Sequence, residues 1–141
     1  MSSLAEVRTH WTPSMLSVFR IVVALLYLQH PTAKFFAIPH VAAFDHLQPF
    51  SLIWVAGVIE LVGGLLVLVG LFTRPAAFIL SGEMAVAYFM VRAPRGFFPL
   101  VTGGEADVFF CFAFLYLAFA GPGPWSVDHA WRGTGGGARR Y

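Results

Sequence analysis

The sequence predicts an all-α fold, an integral membrane four-helix transmembrane bundle, on two observations. Hydrophobic residues make up 58% of the chain and charged ones 11%, with a mean hydropathy of +0.74, against about 25% charged residues in ordinary soluble domains. The 141 residues amount to a single domain, and their apolar residues fall in four long blocks, not in the short periodic faces of a soluble core. Lipid is therefore the solvent for most of the surface.

The spans follow from their punctuation. Thr12-Pro13 reads as a helix start, with Thr12 as cap and Pro13 at the first helical position, where no N–H is needed. The first span runs from about 14 to 36. The second, about 50–72, is long enough for a ~30 Å hydrocarbon core at ~1.5 Å per residue. Thr73-Arg74-Pro75 is a tight connection, so the third span, about 75–91, must lie antiparallel beside the second. Arg92, Pro94, Arg95, Gly96 and Pro99 lead to the fourth, about 104–120, which stops at Gly121-Pro122-Gly123-Pro124. Residues 1–13 form an N-terminal segment, with no removable signal sequence expected, and residues 122–141 a tail expected to be disordered.

Lys and Arg counts orient the bundle, because positive loops stay in the cytoplasm. Arg8, Arg74, Arg132, Arg139 and Arg140 lie on one side, Lys34, Arg92 and Arg95 on the other, which predicts a bacterial cytoplasmic (inner) membrane protein with both termini on the cytoplasmic side. Trp11 and Trp125 fit the inner interface. The outer loop 37–49 carries His40, Asp45 and His46 in an amphipathic stretch expected to lie on the membrane surface. A metal site there is the weaker alternative, since histidines six apart are poor ligand spacing, and no metal centre is expected. The net charge of +2 comes from scattered basic residues that form no patch, which argues against nucleic acid as a partner. With Cys111 the lone cysteine, an internal disulfide and CxxC chemistry are excluded.

Ionisable groups inside the spans are the main functional clue, because a charge at a helix centre costs roughly 2.5–3.5 kcal/mol and so faces the bundle interior. Counting depth from the membrane faces brings Arg20 nearer to Glu83 than to Glu60. This predicts a buried polar network of Arg20, Glu60 and Glu83, with an Arg20–Glu83 ion pair and Glu60 beside it as a candidate to hold a proton. Gly57, Glu60, Gly63 and Gly64 share one helix face, a packing seam first and the wall of a narrow cavity second. At the outer rim His30, Lys34, Arg92 and Arg95 are expected to face Glu105 and Asp107, as a salt-bridged lid or as a binding mouth for an anionic or quinone-like molecule. Thr102 and Glu105 also match a capping box.

The stretches RIVVALLYLQH with Lys34, GVIELVGGLLVLVGLFTRPAA, GEMAVAYFMVRAPRGFFPLVTGGE and FLYLAFAGPGPWSVD together resemble the DoxX family of small bacterial membrane proteins, from about Arg20 to Asp128. Other members carry His-Gly before the lysine where this chain has His30-Pro31. The family takes its name from a subunit of an archaeal quinol oxidase; relatives occur in thiosulfate:quinone oxidoreduction and in a mycobacterial membrane complex handling oxidative stress. The resemblance implies an accessory subunit of a quinone-linked membrane redox system, with redox-complex subunits or further copies as partners and quinone as the candidate ligand. It supplies no catalytic motif.

No tightly bound cofactor is expected, as the spans lack a histidine pair for haem and the chain lacks a dinucleotide fingerprint. Independent catalysis is therefore not expected. Two other readings stand beside the redox subunit. One is a carrier of protons or small solutes, with Glu60 and Glu83 as midplane ligands. The other is a structural or assembly partner whose polar groups only fix helix register.

Overall fold

The computed structural model of the chain describes residues 2–135, and the regular structure among them is helical throughout. Three segments, Ser2–Glu6, Val7–Trp11 and Thr12–Phe36, run on as one helix, α1. The expected start at Thr12-Pro13 is therefore corrected. Pro13 has no N–H to give, and the preceding turn accommodates it by widening to π-helical spacing, in which the Thr12 N–H reaches back to the Val7 carbonyl. Helix α1 passes through Pro31 and stops at Ala37, whose φ of 53° is left-handed.

Residues 37–51, the expected amphipathic loop, hold one short 3₁₀ turn, Ala42–Phe44. Helix α2, Leu52–Val69, starts where the Ser51 hydroxyl accepts the Trp54 N–H at 3.3 Å and ends at Gly70, whose φ of +73° favours glycine. Helix α3, Thr73–Ala87, continues through a π-helical turn, Tyr88–Arg92, and a 3₁₀ turn, Ala93–Arg95. After one turn at Pro99–Thr102 comes α4, Glu105–Ala120.

The predicted capping box does not form. Gly103, at φ 76°, reverses the chain between Thr102 and α4, so Gly104 occupies the cap position and the Thr102 hydroxyl turns back to the Pro99 carbonyl at 3.4 Å.

Among the described residues, three helices are long and apolar enough to cross a membrane: the one through Ser3–Phe36, Leu52–Val69 and the one through Thr73–Arg95. Helix α4 has 16 residues and packs along α3. Successive helices are antiparallel, and glycines set their approach. Gly57 faces Phe35 and Lys34, Gly64 faces Leu28 and Tyr27, Gly63 faces Leu80, and Gly104 faces Tyr88. The glycine stripe of α2 is thus a packing seam against both neighbours. The core is small and central, with Val23, Ala24, Tyr27, Val67, Ala77, Leu80, Phe114 and Leu117 buried. The Tyr27 ring joins α1 to α4 edge-on, 4.8 Å from Phe114 and 5.4 Å from Phe110.

The tail also departs from expectation. Residues 121–126 fold under the bundle and a fifth helix, α5, covers Val127–Gly135; residues 136–141, with Arg139 and Arg140, lie outside the described residues.

Candidate functional site

The site grows from one stripe of α1. Ser17, Arg20, Ala24, Tyr27, Pro31 and Lys34 recur at alternating three- and four-residue spacing, so they share a face, and that face looks into the bundle. The matching stripe of α2 is Gly57, Glu60, Gly64 and Val67, all buried. Antiparallel packing sets Lys34 beside Gly57 and Tyr27 beside Gly64, so Glu60 lies between them in depth.

Lys34 bends inward and bonds both oxygens of Glu60, at 2.7 and 2.8 Å. The pair is well shielded, with side-chain exposures of 9% and 3%. Gly57 makes this possible, since a Cβ there would stand 3.2 Å from Lys34 Cδ and 2.9 Å from the Phe35 ring.

Glu83, from α3, completes the array. Its carboxyl is within hydrogen-bonding reach of Glu60, and its Oε2 accepts the Tyr27 hydroxyl at 2.6 Å. The result is a continuous line, Lys34–Glu60–Glu83–Tyr27, across three helices near the middle of α2 and α3. One cation faces two neighbouring carboxyls, and like charges so close disfavour ionisation of both.

The predicted Arg20–Glu83 pair is not made. Arg20 packs beside Gly70, at the end of α2, while Glu60 and Glu83 lie at the level of Pro31, eleven residues or ~16 Å along α1. The depth count failed because it took Ser14 as the start of the span, whereas α1 begins long before it and Arg20 lies level with the end of α2.

There the Arg20 guanidinium closes a clamp instead. It donates to the carbonyls of Pro122 and of Trp125, the latter at 2.6 Å, while Ser17 Oγ accepts the Trp125 N–H at 3.1 Å. Asp128, in electrostatic contact with Arg20, accepts the N–H groups of Phe72 and Thr73 at 2.9 and 3.0 Å. These open α3, where a carboxylate meets both free N–H groups and the helix dipole. Arg20, Ser17 and Asp128 together tie residues 122–128 to α1 and to the start of α3.

The outer rim assembles in part. Arg92 pairs with Asp107 at 3.2 Å and donates to the Thr102 carbonyl at 3.2 Å. The His30 ring rests against Tyr27 and Phe110, at 5.6 and 5.7 Å, within electrostatic reach of Lys34, Glu83, Arg92 and Asp107. Lys34 has left the rim for Glu60, and Arg95 and Glu105 are exposed. In the loop His40 meets Asp45 at 2.7 Å and His46 stays exposed; no group of three metal-ligating side chains occurs among the described residues.

Sequence reasoning missed Tyr27, Ser17 and Asp128. The first two carried a signal, since they share the three-four stripe of Arg20 and Lys34. Asp128 carried none, because its partners are backbone N–H groups 55 and 56 residues away.

An antiparallel helical bundle with an apolar exterior and a polar line through its interior defines a small integral membrane protein. The chain belongs to the DoxX family, whose profile matches residues 15–93. It is 44% identical over 123 residues to an uncharacterized protein of Haemophilus influenzae, covering 84% of this chain and 92% of that one. To an uncharacterized membrane protein of Mycobacterium tuberculosis it is 29% identical over 152 residues, covering 90% and 88%. No solved structure matches it significantly.

Proposed function

We propose that this protein is an accessory subunit of a quinone-linked redox system in the bacterial cytoplasmic membrane, and that its Lys34–Glu60–Glu83–Tyr27 line holds and passes a proton. In this reading α4 is a fourth span. Its 16 residues reach ~24 Å, and the turn at Pro99–Thr102 extends it toward the outer face. Both termini then face the cytoplasm, in keeping with the distribution of Lys and Arg.

The observation that carries the proposal is the carboxyl pair. Two carboxyls in mutual contact, with one lysine and one phenol, are neutral as a group when they share a single proton. A group that is neutral with one proton is stable within lipid and changes charge by gaining or losing it. His30 packs against Tyr27 and feels both Glu83 and the Arg92–Asp107 pair, which offers a route toward the outer rim. The redox setting comes from the family resemblance, and the absence of a haem-ligand pair or cysteine pair in the sequence leaves electron transfer to partner subunits.

Native mass spectrometry of the protein released gently from its own membrane tests this. The proposal expects redox-partner subunits or a retained quinone, lost or weakened in Glu83→Gln. A bare chain or a homo-oligomer without ligand overturns the redox assignment. Proton or solute uptake into proteoliposomes abolished by Glu83→Gln, without any partner, favours a carrier instead.

A further inference from the structure

The loop 37–51 joins the end of α1 to the start of α2, and so crosses the end of the bundle nearest Lys34, which stands two residues before α1 stops. Its 3₁₀ turn, Ala42–Phe44, carries a half-buried Phe44 in a stretch whose residues are mostly exposed. That ring lies against the Lys34 ammonium, 5.7 Å from its centroid to Nζ, inside the ~6 Å range of a cation–π contact. Two ties hold the turn in place. The His40 ring meets the Asp45 carboxylate at 2.7 Å across it, and the Leu47 N–H reaches back to the Phe44 carbonyl at 3.3 Å.

Lys34 is therefore held from two sides. Glu60 takes the ammonium from within, through both carboxylate oxygens, and Phe44 covers it from the loop. A lysine so near a helix end has an alternative, because its flexible four-carbon stem lets it turn the charge out to water. A side-chain exposure of 9% marks the inward arrangement as the one adopted. An aromatic face attracts the cation without offering an oxygen that competes with Glu60.

We propose that Phe44 is a positioning residue and gate for the buried line: its ring keeps Lys34 turned onto Glu60 and shuts the loop end of the line to water, and displacement of the 42–44 turn opens it. A proton approaching Glu60 from that end passes the ring first. This consequence rests on the shared-proton reading of the line; the positioning of Lys34 does not.

Lys34 is the only lysine in the chain, so an amine reagent reports on it directly. The full chain in phosphatidylcholine nanodiscs is treated with trinitrobenzenesulfonate, and mass spectrometry follows labelling of Lys34 against that of the N-terminal amine. Wild type is expected to label slowly at Lys34. Phe44→Ala should label about tenfold faster, a factor equivalent to ~1.4 kcal/mol. Phe44→Trp, which keeps a π face, should stay near the wild-type rate, whereas Phe44→Leu, apolar but without that face, should approach the rate of Phe44→Ala. Phe97→Ala removes a more exposed aromatic that packs on Phe98 and should leave the rate unchanged. Wild-type labelling of Lys34 as fast as that of the N-terminal amine overturns the gate. So does Phe44→Ala at the wild-type rate, or Phe97→Ala as fast as Phe44→Ala. Phe44→Leu as slow as wild type overturns the positioning by the ring face. Amine labelling reads no carboxyl proton, so each of these failures leaves the shared proton to its own infrared test.

Discussion

Replacing Lys34 with methionine keeps an unbranched apolar stem, one atom shorter, and removes the charge from beside Glu60. At 2.7–2.8 Å from both carboxylate oxygens, the direct attraction is about 6 kcal/mol at an effective dielectric constant of about 20. Most of that offsets the desolvation of two nearly buried groups, and removal of one partner from such a pair typically costs about 3–5 kcal/mol. Glu83 lowers the figure here, because the carboxyl pair can take up a second proton in place of the lost ammonium. The expected loss for Lys34→Met is therefore about 3 kcal/mol. Adding Glu60→Gln should restore about 2 kcal/mol of it, since the orphaned charge is gone. The assay is a double-mutant cycle of Lys34→Met and Glu60→Gln, followed by far-UV circular dichroism during denaturant titration in mixed micelles. A Lys34→Met protein within about 1 kcal/mol of wild type, or a cycle with no coupling, would refute the reasoning.

Asp128→Asn should weaken the clamp by about 1–2 kcal/mol, because an amide oxygen replaces a charge at the N-terminus of α3. Hydrogen exchange of the Phe72 and Thr73 amides and proteolysis within 121–126 should both accelerate, with the rest of the bundle unchanged. Two α2 and α3 glycines should behave oppositely. A Cβ at Gly64 would stand 2.6 Å from Leu28 Cδ2, whereas one at Gly82 meets nothing within 4 Å. Thermal unfolding should accordingly show Gly64→Ala losing about 1–3 kcal/mol through overpacking, and Gly82→Ala unchanged or slightly stabilised.

Much of the fold was legible because the spans are long apolar blocks and Thr73-Arg74-Pro75 acts locally as a connection, whereas the Ser51 cap and the left-handed Gly70 stop, which trim α2 to Leu52–Val69, went unread. The first helix was misread at its start, as Pro13 admits two outcomes, a cap or a widened turn, and only the upstream residues decide between them. That one offset moved Arg20 by several residues in depth and cost the Arg20–Glu83 prediction. Glu60 and Glu83 were recognised as interior groups because a carboxyl among apolar residues has few other places to go. Their partners were harder to see. Lys34 read as a rim residue, since nothing local shows that Gly57 opens a path for its side chain, and Tyr27 was passed over, its place on the Arg20–Lys34 stripe being the one signal it carried. The tail was hidden for a different reason. Its glycines and prolines look unstructured, and their order depends on Arg20 and Asp128 meeting backbone groups that no spacing rule connects.

The central claim, that the buried line carries a shared proton, is tested most directly by infrared spectroscopy of the protein in lipid bilayers at neutral pH, with hydrogen–deuterium exchange to mark acid groups. The account predicts a protonated carboxyl C=O band in wild type that Glu83→Gln removes and Lys34→Met strengthens. A wild-type spectrum without that band, or a band that survives both Glu60→Gln and Glu83→Gln, would contradict it.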